Sequence, residues 1–180
     1  LLDGVSGKIV ASASSPHDEM EIRALKPGWA EQDPEMWWKN VLLATAKILA
    51  QSNVQPDTIQ SIGIAYQMHG LVAVDKDHQL LRPAIIWCDS RAAGIGQSAF
   101  SSLGVNYCLE HFLNSPGNFT ASRLKWIKEN EPELYSCIHK IMLPGDYIAM
   151  KMSGEIQTTV TGLSEGIFWD FKEQGIAGSL

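Results

Sequence analysis

The segment spanning residues 63–70 constrains the fold of this chain more than any other, because an apolar run ends there abruptly on polar residues. It reads GIAYQMHG, and the run before the glutamine is typical of a strand, which we expect over residues 62–66. A rigid strand that stops beside a glycine can aim side chains at a ligand, since the glycine lets the backbone turn. The sequence therefore predicts a substrate site at Gln67, Met68 and His69.

A strong helix start is formed by Asp33 and Pro34, which suit the N-cap and the first helical position. Apolar residues then recur at helical spacing to about residue 51, so we expect an amphipathic helix that packs on a sheet. Strands over residues 71–74 and 84–87, separated by a polar turn, predict a hairpin.

Three more helices are expected farther along the chain. One spans residues 91–102, a second is capped by Thr120 or Ser122, and a third begins at Pro144 and ends near Gly154. The mixture of helices with β-branched strands predicts an α/β domain.

The composition excludes several classes of function. A formal net charge of -6 and a pI near 5.3 leave no basic surface for nucleic acid or for an anionic membrane, so we expect neither partner. The spacings of Cys88, Cys108 and Cys137 fit neither a disulfide framework nor a metal site, which favours a reduced, cytoplasmic protein. The histidines also lack metal-ligand spacing, and no metal site is predicted.

Four segments occur in an order and spacing that a known family shares. They are PGWAEQDP at 27–34, QMHG at 67–70, LRPAIIWCDSR at 81–91 and FTASRLKW at 119–126. Together they make the chain resemble the FGGY carbohydrate kinases, and among these most closely the xylulokinases. The similarity also takes in LPGDY at 143–147, which resembles the family's Leu-Pro-Lys-Asp-Tyr segment.

This resemblance implies a fold and a domain organisation. Members of the family have two ribonuclease-H-like domains of the actin/hexokinase type, with a mixed sheet flanked by helices, and sugar and ATP meet in the cleft between them. Residues 1–180 resemble most of the N-terminal, sugar-side domain. We expect the family's first strand to precede Leu1 and its C-terminal, ATP-side domain to follow Leu180.

The resemblance also implies an activity for the full-length protein. The family transfers the γ-phosphoryl group of ATP to a sugar hydroxyl with Mg²⁺, and we expect D-xylulose to be converted to D-xylulose 5-phosphate. The family's catalytic aspartate belongs to a segment beyond Leu180, so we expect no catalytic residue in this chain and no activity from the chain alone. A homodimer is expected on the same grounds.

Site residues follow from the matched motifs. Met68 and His69 correspond to the pair that contacts the sugar in xylulokinases, where glycerol kinases carry Arg-Glu, and this favours an uncharged ketose. A neutral histidine can donate to and accept from sugar hydroxyls, while methionine offers an apolar wall to the carbon face. Secondary candidates for substrate binding are Gln67, Asp89, Arg91, Trp29 and Asn118.

Alternatives stay open for the residues and for the function. Asp89 and Arg91 lie in WCDSR, where xylulokinases commonly have Trp-Asn-Asp-Gly-Arg, and both also suit a helix cap and a mutual ion pair. Trp29 also suits a core anchor, and Asn118 a structural position before a helix. The alternative functions are a gluconokinase, a ribulokinase and a noncatalytic sugar-binding module of the same fold.

Overall fold

A computed structural model describes residues 1–179, and these form an α/β structure of seven α-helices and six short strands. The helices are α1 (Pro34–Ser52), α2 (Ala93–Leu103), α3 (Val105–His111), α4 (Thr120–Asn130), α5 (Pro132–Cys137), α6 (Pro144–Ser153) and α7 (Val160–Glu165). The strands are β1 (Glu31–Gln32), β2 (Val72–Val74), β3 (Ala84–Ile85), β4 (Lys140–Met142), β5 (Trp169–Asp170) and β6 (Gly175–Ile176). Within the described residues, no helix has the length and apolar character needed to cross a membrane.

The strands pair antiparallel, two by two: β1 with β3, β2 with β4, and β5 with β6. The expected hairpin is present in shortened form, because a bridge joins Leu71 to Ile85 and the turn after β2 closes with Asp75 N donating to Gln79 O. β3 ends at Ile85, and Trp87 lies beyond it in an exposed turn. The second strand of the hairpin is therefore shorter than the predicted 84–87.

The main core lies between the β2–β4 pair and the helices α1 and α6. Val72 and Val74 are completely buried there beside Tyr147, and Trp37 and Trp38 from α1 pack against the same cluster. Full burial of one such aliphatic side chain stabilises the fold by about 1.5–3 kcal/mol. Because the strands are only two or three residues long, apolar burial contributes more than strand pairing to holding these elements together.

The predicted start of α1 is confirmed. Asp33 has extended backbone and its Oδ1 accepts a hydrogen bond of 2.9 Å from the backbone N–H of Glu35, while Pro34 is the first helical residue. α1 then runs to Ser52, one residue beyond the predicted end. Replacing the cap with alanine would remove about 1 kcal/mol of stability.

The strand predicted over residues 62–66 is wrong. Within residues 1–179 this segment pairs with no other strand, and Ile62 is 66% exposed and Tyr66 40% exposed. A strand is stable only where neighbouring backbone completes its hydrogen bonds, and the apolar pattern carries no information about that neighbour. The segment instead leads irregularly into a turn at Met68 and His69.

Two helix ends test the capping predictions. Neither Thr120 nor Ser122 caps α4, because Phe119 occupies the N-cap and Thr120 is the first helical residue. Gly154 does end α6 with a left-handed φ of 80°, as predicted. A glycine is suited to this position because other residues pay a steric penalty there.

Candidate functional site

His69 is held by hydrogen bonds to both of its backbone polar groups. Its N–H donates to Glu165 Oε1 at 2.7 Å, and its carbonyl accepts a hydrogen bond from Arg123 Nη1. The residue has φ of 61°, a left-handed conformation that residues other than glycine seldom adopt. Contacts from two distant parts of the chain therefore fix a strained backbone at the end of the 63–70 segment.

The imidazole of His69 is oriented by two further contacts. Its Nδ1 lies 3.3 Å from the carbonyl oxygen of Glu165, and the ring of Phe119 packs edge-on with its centroid 4.2 Å away. Burial lowers the pKa of His69 below its usual 6.5, although Glu165 opposes this shift. The neutral imidazole is therefore favoured at pH 7.

Gln67 and Met68 differ in how firmly they are held. Gln67 Oε1 accepts a hydrogen bond of 3.0 Å from the backbone N–H of Trp87, which orients the amide and leaves its nitrogen as a donor. Met68 is 57% exposed and presents its thioether chain to solvent. The structure thus brings the three predicted residues together in one turn. The amide of Gln67 and the imidazole of His69 are held by hydrogen bonds, and the side chain of Met68 is exposed.

Gly70 allows the backbone to pass closely over the start of α6. A Cβ atom at this position would lie 2.4 Å from Cγ of Pro144, and 2.8 Å from its Cδ. Both distances are too short for a side chain, so the turn needs a residue without one. The glycine that suggested a turn from the sequence is required by this packing.

Asp89 and Arg91 are engaged with each other and with the protein. Asp89 Oδ2 accepts from the backbone N–H of Ala30 at 2.6 Å and from Arg91 Nη2 at 2.7 Å, and Arg91 Nη1 lies 2.8 Å from Glu31. The two side chains are 0% and 1% exposed. This geometry supports the structural alternative, in which the pair ties β1 to the turn before α2, and their direct contact with a ligand stays a prediction.

Trp29 and Asn118 are half-buried and contact the Asp89–Arg91 pair. The guanidinium carbon of Arg91 lies 3.8 Å from the centroid of the Trp29 ring, and Trp126 packs edge-on against that ring at 5.3 Å. Asn118 Nδ2 donates to the carbonyl of Asp89, while its buried Oδ1 has no hydrogen-bond partner among residues 1–179. Trp29 is therefore placed as an anchor of the Asp89–Arg91 pair, and a ligand role for Trp29 or Asn118 remains a prediction.

Arg123 is a residue of the site that the sequence reasoning missed. Its guanidinium donates to the carbonyls of His69, Trp87 and Asp89, and the residue is 0% exposed. Desolvation lowers its pKa to about 10, which still leaves the side chain charged at neutral pH. The available signal was its helical position four residues before the buried Ile127, on a face that should be apolar.

Glu165 was also missed, and no local pattern marks it. It is the last residue of α7, and its carboxylate reaches His69 across 96 residues of sequence. Its Oε2 accepts a hydrogen bond of 3.4 Å from the hydroxyl of Tyr66. A contact over this distance in the chain depends on the complete fold.

The chemistry available to these residues is recognition. Among residues 1–179, no group of three or more histidine, cysteine, aspartate or glutamate side chains is arranged to hold a metal ion. The turn offers a hydrogen-bonding imidazole, an amide donor and an apolar side chain, which suits a small polar ligand with a carbon face.

Comparison with known proteins identifies the family. Residues 1–175 match the N-terminal domain of the FGGY family of carbohydrate kinases. The chain therefore belongs to this family. It is 34% identical over 169 residues to a xylulose kinase from Klebsiella pneumoniae. The matched region is 94% of this chain and 34% of that protein. The chain thus spans about a third of the length of the curated relatives it matches.

Solved structures confirm the fold. A xylulose kinase from Rhodospirillum rubrum superposes with a TM-score of 0.76 at 25% identity, covering 89% of this chain and 33% of that one. A gluconate kinase from Lactobacillus acidophilus has a TM-score of 0.78 at 22% identity, covering 89% and 32%, and shows the likeness of fold alone. The expected α/β fold of the ribonuclease-H-like, actin/hexokinase type is therefore confirmed.

Proposed function

We propose that the full-length protein phosphorylates a pentulose with ATP, with D-xylulose as the first candidate, and that this chain supplies the sugar contacts. The observation that carries the proposal is the firmly held His69 beside the exposed side chain of Met68. Membership of a carbohydrate kinase family supports the reaction class. The similarity to xylulose kinases supports xylulose ahead of other sugars.

The role of this chain is to bind and orient the acceptor sugar. Phosphoryl transfer depends mainly on positioning, and a hydroxyl held in line with the γ-phosphorus gains most of the available acceleration. His69 and Gln67 are suited to hold two hydroxyls, and Met68 to cover the carbon face. We expect the residues that bind ATP and Mg²⁺, and the aspartate that accepts the proton, to lie outside this chain. We therefore expect the chain alone to be inactive.

Replacing His69 with alanine should mainly raise the KM for the sugar. One lost hydrogen bond from a partly buried group is worth about 1–3 kcal/mol, which corresponds to a KM increase of roughly 5- to 150-fold. The measurement is a coupled assay of ADP release by the full-length protein with D-xylulose. His139→Ala is the matched control because His139 is exposed, and an unchanged KM for His69→Ala would remove this residue from the site.

The KM for the sugar should also rise as the pH falls below about 6.5. Since the pKa of His69 is lowered below 6.5, the imidazole is neutral above that pH and becomes cationic only as the pH falls through the lowered value. The charged groups that face it are Glu165, which raises the pKa, and Arg123, which lowers it. We expect a constant KM from about pH 8 to 6.5 and a rise below. His69→Gln should lack this rise, and an equal rise in that variant would assign the titration to another group.

A substrate panel separates the alternatives within the family. D-xylulose, D-ribulose and D-gluconate assayed with the full-length protein should give the highest kcat/KM for D-xylulose. A preference for D-gluconate would favour a gluconokinase, and a preference for D-ribulose would favour a ribulokinase. Sugar binding without turnover would favour the noncatalytic module. A cytoplasmic homodimer remains part of the proposal, and light scattering of the full-length protein tests the dimer.

A further inference from the structure

We propose that Glu165 is a positioning residue for His69, which holds the imidazole as the Nδ1–H tautomer so that Nε2 accepts a hydrogen bond from a hydroxyl group of the ligand. The sugar part of this inference rests on the proposed function, whereas the tautomer stands without it. Glu165 acts through both its side chain and its main chain.

The carboxylate of Glu165 fixes the backbone from which the imidazole projects. The hydrogen bond of 2.7 Å from the His69 N–H to Oε1 is short and charge-assisted, which makes it one of the stronger kinds in proteins. It acts on a residue with left-handed φ of 61°, where a histidine needs support from its surroundings. The Tyr66 hydroxyl donates to the other carboxylate oxygen and limits its freedom to turn away.

The main-chain carbonyl of Glu165 selects the tautomer. A carbonyl oxygen can only accept, so the contact of 3.3 Å to Nδ1 requires the proton to be on Nδ1. In the neutral ring Nε2 then carries a lone pair and no proton. Among residues 1–179, Nε2 has no hydrogen-bond partner, and it is not shut off from solvent.

The consequence is a directional requirement on the ligand. A lone pair at Nε2 accepts from an O–H group and repels a carbonyl or ether oxygen at the same place. Gln67 offers the opposite polarity, since its oxygen is taken by the N–H of Trp87 and its amide nitrogen is left to donate. The turn therefore suits a polyhydroxy compound that donates to His69 and accepts from Gln67.

The tautomer is tested by ¹⁵N NMR of the full-length protein labelled at histidine. The His69 signals, assigned by their loss in His69→Gln, should show a protonated Nδ1 and an unprotonated Nε2. This readout needs no sugar and no activity, so it remains informative if the proposed kinase function fails. A protonated Nε2 in the wild-type protein would overturn the inference outright.

The positioning role is tested by a double-mutant cycle on the KM for D-xylulose. Glu165→Ala should raise KM about tenfold with little change in kcat, and Glu165→Gln should restore most of the loss because its amide oxygen can still accept. In the His69→Ala background, Glu165→Ala should add almost nothing. Glu155→Ala, at an exposed glutamate, is the matched control. Additive effects of the two substitutions on KM would contradict a role of Glu165 through His69. If Glu165→Ala folds poorly, the KM of Glu165→Gln and the NMR measurement test the positioning role instead.

Discussion

Replacing Arg123 with methionine is expected to lower the free energy of unfolding by about 2–4 kcal/mol. The substitution keeps the approximate volume of the side chain but removes the guanidinium donors from the carbonyls of His69 and Trp87. The carbonyl of Asp89 loses one donor and keeps the other, the amide of Asn118. Each buried carbonyl left without a donor costs about 1–3 kcal/mol. Part of that loss is offset because methionine carries no cation that must be desolvated, whereas burial of the Arg123 guanidinium lowers its pKa to about 10.

The control for this substitution lies in the same helix. Lys125 is 57% exposed and, among residues 1–179, pairs only with Glu129 one turn along α4, so Lys125→Met should change stability by no more than about 0.5 kcal/mol. Both variants are compared by denaturant unfolding followed by tryptophan fluorescence. Equal stability of the two variants would mean that Arg123 does not hold the three segments together. The KM for the sugar should rise as well in Arg123→Met, because the carbonyl of His69 is released.

Two glycines of α2 are expected to respond to alanine with opposite signs. At Gly96 a Cβ atom would lie 1.6 Å from the carbonyl oxygen of Gly117, so either α2 or the loop before α4 must move. Overpacking against backbone cannot be relieved by a change of rotamer, and we expect a loss of about 3 kcal/mol or more. At Gly94 no atom of the described residues lies within 4 Å of the corresponding Cβ position, and alanine should stabilise the helix by about 0.5 kcal/mol.

This pair of substitutions isolates the close contact from helix propensity. Both glycines lie within α2 (Ala93–Leu103), and the chemical change is the same at both positions. The loop that Gly96 touches leads to Phe119, which packs on the imidazole of His69, so Gly96→Ala should also raise the KM for the sugar. Thermal unfolding of the two variants gives the comparison, and a stabilised Gly96→Ala would show that the contact at Gly117 is not present in solution.

Local signals in the sequence predicted four of the seven α-helices of residues 1–179, which are α1, α2, α4 and α6, and missed the short helices α3, α5 and α7. Asp33, Pro34 and Gly154 specify their helix ends through their own side chains or backbone freedom, and the structure has α1 and α6 where these signals lie. The strand over residues 62–66 failed because its apolar pattern describes the segment alone. Strand formation depends on a hydrogen-bonding neighbour, which no pattern within the segment can specify.

Local sequence likewise predicted some residues of the candidate site and missed others. Gln67, Met68 and His69 were found because they are consecutive and end on a glycine that the packing of Pro144 requires. Arg123 and Glu165 were missed because they meet His69 across 54 and 96 residues of sequence.

Two readings of Asp89 and Arg91 stayed open in the sequence for a related reason. An aspartate before a helix can face a ligand or the protein, and its own neighbours do not distinguish the two. The backbone N–H of Ala30, 59 residues away, and the carboxylate of Glu31 complete the cluster that buries the pair.

The most direct test of the account is a crystal structure of the full-length protein with D-xylulose. We predict a sugar hydroxyl within about 3.2 Å of His69 Nε2, with the side chain of Met68 against the carbon face of the sugar. A ketose bound away from this turn, or a His69 whose Nε2 makes no contact with it, would contradict the account.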